Sequence, residues 1–249
     1  MQKQSRVKQA FILAAGRGTR LRPLTNDMPK AMIPIAEGKP LLEHTISFLR
    51  NQGVDRFIIN LHYLPKKIVD YFGDGGKFGV NITYSDESDC LLETAGAFKK
   101  AEDLLDDDFI VNYGDMLHFV DFSPAINLHL KNKAMLTMIL KKSISPQSAD
   151  MAEINLENNK VMNWIFRPHN ITDCGDRYFS NSGLYVVSKK ILDYIPAGKP
   201  VRLETEVLPL LIKNNAGFYG ITVSDPVVDI GTPEKYKSGK ELYGNRIKE

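Results

Sequence analysis

The chain reads as a single α/β domain, residues 1–249, on a mixed, mostly parallel central sheet covered by helices on both faces. Three observations predict this. Short apolar runs alternate with segments of helical period through the first half. The connections between them are short, which favours neighbouring parallel strands. In the second half, strand-like runs follow one another with turn residues between them, extending the sheet.

The elements follow in order. Gln9 to Ala15 is an apolar run ending in glycine, the pattern of a buried strand feeding a loop. Leu41 to Asn51 places Leu42, Ile46 and Leu49 on one helical face, and Gly53 stops that helix. Arg56 to Leu61 is a second strand, Pro65 opens a helix through Phe72, and Val80 to Tyr84 alternates as a short strand. Glu93 to Leu105 is predicted helical, and Phe109 to Asn112 extended. Later strands are expected at Ala134–Lys141, Ala152–Leu156, Val161–Phe166 and Tyr178–Val187, with an Asn158-Asn159 turn. Helix returns at Leu203–Lys213 and from Pro233. No fixed-period repeat or low-complexity linker divides the chain.

Composition excludes several classes. Apolar content of 43% with 25% charged residues is that of an ordinary globular protein. Lys and Arg number 32 against 30 Asp and Glu, so the net charge of +2 offers no case for nucleic acid or an anionic membrane as partner. Cys90 and Cys174 lie far apart, and His44, His62, His118, His129 and His169 are scattered without ligand spacing. The apolar run behind the basic N-terminus is too short for a signal peptide or a membrane span, so the expected location is cytoplasmic.

Phe11 to Lys30, FILAAGRGTRLRPLTNDMPK, carries the chemistry. Gly16 and Gly18 are expected to take positive φ and let backbone amides approach phosphate oxygens. Arg17, Arg20, Arg22 and Lys30 supply cations suited to a polyphosphate. The loop lacks the Gly-Lys-Ser/Thr ending of a Walker A motif and the third glycine of a dinucleotide fingerprint. Gly114-Asp115 and Asp229-Ile230-Gly231 each place an acid past a strand end, where open α/β sheets bind ligands. Two such aspartates suit one hard cation completed by phosphate oxygens, and Mg²⁺ fits that description.

Leu13-Ala14-Ala15-Gly16-Arg17-Gly18-Thr19-Arg20-Leu21-Arg22-Pro23-Leu24-Thr25 with Pro29-Lys30 resembles the signature of the sugar-1-phosphate nucleotidyltransferases. That resemblance implies a Rossmann-like, glycosyltransferase-A-like three-layer domain. It also implies a reaction: a nucleoside triphosphate and a sugar 1-phosphate give a nucleotide sugar and pyrophosphate. The nucleotide half would run from about 9 to 120, the sugar half from about 121 to 235, then a terminal helix, with no appended β-helix domain.

The resemblance assigns roles residue by residue. Arg20, Lys30 and Asp115 would be catalytic, with Asp115 and Asp229 holding Mg²⁺. Leu13 to Thr19, with Glu93, Thr94 and Gly96, would meet the nucleotide. Arg167, Asn181, Gly183 and Glu204 would meet the sugar phosphate. Arg167-Pro168 stands where the family often has Glu-Lys-Pro, and Asn181-Ser182-Gly183 where it has Asn-Ala-Gly. Glu93, in place of a glycine, and Tyr71 to Gly79 are similar to the branch of N-acetylmuramate-1-phosphate uridylyltransferases and mannose- or heptose-1-phosphate guanylyltransferases, which supply precursors of cell walls and surface polysaccharides. A monomer or homodimer is expected. The rival readings are a cytidylyltransferase for a choline- or glycerol-type phosphate, and a catalytically silent subunit that binds nucleotide sugar.

Overall fold

The computed structural model describes residues 7–143 and 146–246. Lys3 and Arg6 of the basic N-terminus lie outside the described residues. Strands are β1 (Gln9–Leu13), β2 (Pro34–Ala36), β3 (Lys39–Pro40), β4 (Arg56–Leu61), β5 (Asn81–Asp86), β6 (Asp108–Tyr113) and β7 (Met116–His118). They continue with β8 (Leu136–Lys141), β9 (Met151–Asn155), β10 (Lys160–Ile165), β11 (Tyr178–Ser188), β12 (Phe218–Val223) and β13 (Val227–Asp229). Helices are α1 (Leu41–Asn51), α2 (Pro65–Phe72), α3 (Glu93–Lys100), α4 (Ser123–Asn132), α5 (Leu208–Lys213) and α6 (Pro233–Arg246).

The chain forms two compact units, interleaved in sequence. One comprises residues 8–91, 112–119 and 226–249. Its β5, β4 and β1 run parallel, in register Phe11↔Ile58 and Phe57↔Ile82. Phe11 and Ile12 are fully buried, so β1 is covered on both faces, as its unbroken apolar run requires. Leu42, Ile46 and Leu49 of α1 are buried, each worth about 1.5–3 kcal/mol relative to exposure. A small cluster of Ile35, Leu41, Leu117 and Ile230, with Tyr236 and Tyr243 against it, fastens the β7–β13 pair and α6.

The other unit, chiefly residues 92–111 and 120–225, is a mixed sheet. β8 pairs parallel with β12 and antiparallel with β11, while β10 pairs antiparallel with β9 and β12. Two predicted helices differ from expectation. The segment from Glu93 leaves α geometry after Lys100, where the Ala101 amide splits between Ala97 O and Phe98 O, and tightens into a 3₁₀ turn at Glu102–Leu104. The segment from Leu203 begins as a wide π turn through Val207, and α5 starts only at Leu208. Pro209 has no N–H to offer Thr205, so a continuous α ladder is not available there.

Candidate functional site

The strand β1 ends two residues earlier than its apolar run. Ala14 and Ala15 leave the ladder and donate their amides to the Asn60 side-chain oxygen at 2.7 and 3.3 Å. Gly16, Arg17, Thr19 and Arg20 are then exposed. Gly18 is left-handed, with φ of 62°, and a Cβ there would stand 2.9 Å from Thr25 Cγ2. Buried Thr25 donates its hydroxyl to Gly18 O at 2.8 Å, closing the loop. Gly16 departs from expectation: its φ is not positive, and nothing stands within 4 Å of a Cβ there, so no backbone conformation requires its glycine. Lys30 opens a short turn after Pro29, and its side chain returns toward the loop.

The two acids share that unit. The Gly114 amide donates to Leu13 O at 3.0 Å, and any Cβ on Gly114 would run into that oxygen. Glycine is therefore required for Asp115 to emerge beside the end of β1. β7 pairs antiparallel with β13, placing Asp229 opposite Met116, and the Ile230 amide donates to Asp115 O at 3.1 Å. Lys30 Nζ lies 2.6 Å from Asp115 Oδ2. Asp229 accepts from the Gly231 amide at 2.6 Å and from Lys235 Nζ at 2.5 Å. The point where a Gly231 Cβ would sit is 2.8 Å from Asp229 Oδ1, 3.1 Å from Arg20 Nη2 and 3.5 Å from Lys30 Nζ.

The charge balance around Asp229 favours its ionised form. Burial pushes the Asp229 carboxyl up. The Lys235 and Gly231 hydrogen bonds and the charges of Lys235 and Lys30 outweigh it, holding the carboxyl below its usual range. Each carboxylate rests against an ammonium, which stands where a cation would. Among the described residues no group of three or more His, Cys, Asp or Glu gathers. The Asp115 and Asp229 carboxylates are the kind of oxygen ligands a hard divalent cation takes when phosphate and water supply the rest.

The other unit carries the remaining expected residues in three groups. Glu93 begins α3 with φ of 61°, a left-handed conformation costing a non-glycine residue about 1–3 kcal/mol, and its carboxylate lies 3.3 Å from Arg202. Thr94 donates to Glu204 Oε2 at 3.1 Å and accepts from the Leu203 amide at 2.7 Å, so Glu204 in its π turn is tied to the start of α3. Gly96 is packed so closely that a Cβ would stand 2.7 Å from Lys199 O.

Asn181 and Gly183 form the second group. The register between β11 and β8 slips between Asn181 and Tyr185. Gly183 takes φ of 73° and donates its amide to Asn181 Oδ1 at 2.8 Å, while Asn181 Nδ2 donates to Tyr185 Oη at 2.6 Å. Such bulges re-aim side chains next to functional sites. In the third, Arg167 Nε donates to Asp150 Oδ1 at 2.7 Å, with Nη2 3.4 Å from Oδ2.

Sequence reasoning missed Asn60, Asp150 and Lys235, which touch expected site residues, and Tyr63, which bonds the backbone of Thr25 and Asn26 past the glycine loop. None belongs to a motif. A buried asparagine at the end of a strand was the one readable signal.

The profile of the nucleotidyl transferase family matches residues 9–245. A UTP–glucose-1-phosphate uridylyltransferase of Synechocystis sp. is 33% identical, over 96% of this chain and 64% of its own length. A mannose-1-phosphate guanylyltransferase of Mycobacterium tuberculosis is 32% identical, over 92% and 63%. The chain thus spans less than two thirds of these curated relatives. The crystal structure of HddC from Yersinia pseudotuberculosis superposes with a TM-score of 0.79 at 29% identity, covering 95% of this chain and all of that one. No helix among the described residues is long and apolar enough to cross a membrane.

Proposed function

The chain belongs to the nucleotidyl transferase family, and on that premise we propose that it transfers a nucleoside monophosphate from a nucleoside triphosphate to a sugar 1-phosphate. The products are a nucleotide sugar and pyrophosphate. One observation carries this reading: Arg20, Lys30 and Asp229 crowd around Gly231, with Asp115 on the same lysine. A uridine or guanosine triphosphate is the donor, by analogy with the named relatives, and a hexose or aminosugar 1-phosphate is the acceptor.

The chemistry needs positioning and charge neutralisation more than a special nucleophile. The sugar-phosphate oxygen is already ionised near neutral pH, since its second pKa is about 6. It attacks the α-phosphorus, a new P–O bond forms, and the bond to the departing pyrophosphate breaks. No general base is required. The barrier is repulsion between anions, which Arg20 and Lys30 lower by facing the phosphates. The amides of Gly16 to Thr19 fix the triphosphate so that attack is in line. Asp115 and Asp229 would hold Mg²⁺, which supplies neutralisation of phosphate charge when bound. On the acceptor side, Arg167 meets the sugar phosphate, while Asn181, the Gly183 backbone and Glu204 meet the sugar hydroxyls. Glu93, Thr94 and Gly96 border the nucleotide.

A pyrophosphate-release screen of UTP, GTP, CTP and dTTP against a panel of sugar 1-phosphates tests the proposal. Release with UTP or GTP and one sugar 1-phosphate supports it. Release with none, or only with choline- or glycerol-type phosphates, overturns it.

A further inference from the structure

The glycine loop is gripped at both ends by one short segment that no motif marks. Asn60, at the end of β4 and 2% exposed, accepts the amides of Ala14 and Ala15 where the chain enters the loop. Its own amide group donates to Glu87 Oε1 at 2.8 Å, and the Glu87 side chain is wholly buried. Glu87 is fixed in turn: its amide donates to Leu61 O at 2.7 Å, and its carbonyl accepts from His62 Nδ1 at 2.8 Å. Three residues past Asn60, the Tyr63 hydroxyl donates to Asn26 O at 2.6 Å, with Thr25 O at 3.1 Å, where the chain leaves the loop. Lys67, on the following helix, donates to Asp27 O. Leu64 turns between these grips with φ of 48°, a conformation that a branched residue adopts only when its surroundings impose it.

We propose that Asn60 and Tyr63 are positioning residues that set the span of the nucleotide loop. Asn60 consumes the Ala14 and Ala15 amides, so the donors turned to a triphosphate are those past the grip, Gly16 to Thr19. Tyr63 holds the far leg, so that Gly18 keeps its left-handed turn and Arg20 its place beside Gly231. Neither side chain touches substrate. Both act through the loop, and the inference rests on the loop's being the nucleotide site.

Tyr63→Phe removes one hydroxyl from the loop's surface-side carbonyls and leaves the ring in place, so the fold persists. Isothermal titration with UTP and, separately, GTP in the presence of Mg²⁺ is the direct measurement. The nucleotide that binds wild type should bind Tyr63→Phe about three- to tenfold more weakly, the worth of one hydrogen bond. KM for that nucleotide should rise in the same ratio, with KM for the sugar 1-phosphate unchanged. Asn60→Ala should show the same split, and the double variant should lose less than the product of the two, because either change releases the loop. A lowered melting temperature with unchanged nucleotide affinity in both single variants would make the grip merely structural and overturn the proposal. Arg20→Ala separates the two layers: weaker binding there but not in Tyr63→Phe defeats the grip alone. Unweakened binding in both defeats the reading of the loop itself.

Discussion

The Lys30 ammonium rests 2.6 Å from Asp115 Oδ2, with only 12% of the lysine side chain exposed. In the proposed reading the pair joins the phosphate cation with a metal-holding acid, so each would compensate the other before substrate binds. Removing one partner of a part-buried pair leaves the other under-compensated.

Asp115→Asn keeps the shape and removes the charge. Turnover should fall by about 100-fold or more, in the range seen when a key electrostatic group is lost. The melting temperature should move by only a few degrees, because Asp115 is 29% exposed at its side chain and not part of the core. Steady-state pyrophosphate release beside a thermal melt checks both. Turnover within threefold of wild type removes Asp115 from the cation site.

Lys235 Nζ sits 2.5 Å from Asp229 Oδ2, so a metal held there, as proposed, would compete with this ammonium. Lys235→Gln removes that competitor. Nucleotide-free protein should then bind Mn²⁺ about fivefold more tightly, consistent with an exposed pair worth up to about 1 kcal/mol. Electron paramagnetic resonance of free Mn²⁺ reads this without any turnover. Unchanged or weaker Mn²⁺ binding would take Asp229 out of the site.

Much of this architecture was legible because its signals are local. Leu41–Asn51, Arg56–Leu61 and Pro65–Phe72 were read to the residue, since apolar periodicity and a proline or glycine stop coincide with real boundaries. The ladder of β7 and β13 was not, because three-residue strands have no period to read; only Val227-Val228 hinted at one. Tyr63, Asp150 and Lys235 were invisible for a different reason, and Asn60 showed only as an asparagine near the end of an apolar strand. Asn60, Tyr63 and Asp150 contact residues at least 17 positions away, Lys235 contacts Asp229 six positions back, and nothing in their neighbours marks the contact. Glu93 was noticed as a departure from glycine, but the sequence does not say that it keeps the left-handed backbone a glycine would take freely.

Asp150 is 8% exposed and holds Arg167, whose side chain is 48% exposed. An acid from elsewhere in the chain thus pairs with Arg167, in a Phe166-Arg167-Pro168 segment that carries none. A guanidinium held at Nε and Nη2 presents a fixed face to an incoming phosphate. Asp150→Ala should raise the KM for the sugar 1-phosphate about tenfold and leave the nucleotide KM unchanged; Arg167→Ala should do the same or more. Equal rises in both KM values would mean a general disturbance of the fold instead.

His44 gives a pH dependence whose sign is fixed by its surroundings. Burial pushes its pKa down, opposed in part by the Ala36 carbonyl at 3.4 Å. Its ring also packs edge-on against Tyr243 of α6 at 4.6 Å. The unfolded chain carries a histidine of ordinary pKa, about 6.5, and so binds a proton that the folded state resists. The contribution to stability is therefore fully present above about pH 6.5 and is lost as the pH falls from there toward the folded value. His44→Phe keeps a ring against Tyr243 but cannot titrate. Melting temperatures measured from pH 5 to pH 8 should fall less steeply on the acid side for this variant than for wild type. Parallel acid limbs would mean that another group governs acid unfolding and that His44 accepts its proton at no cost to the packing of α6.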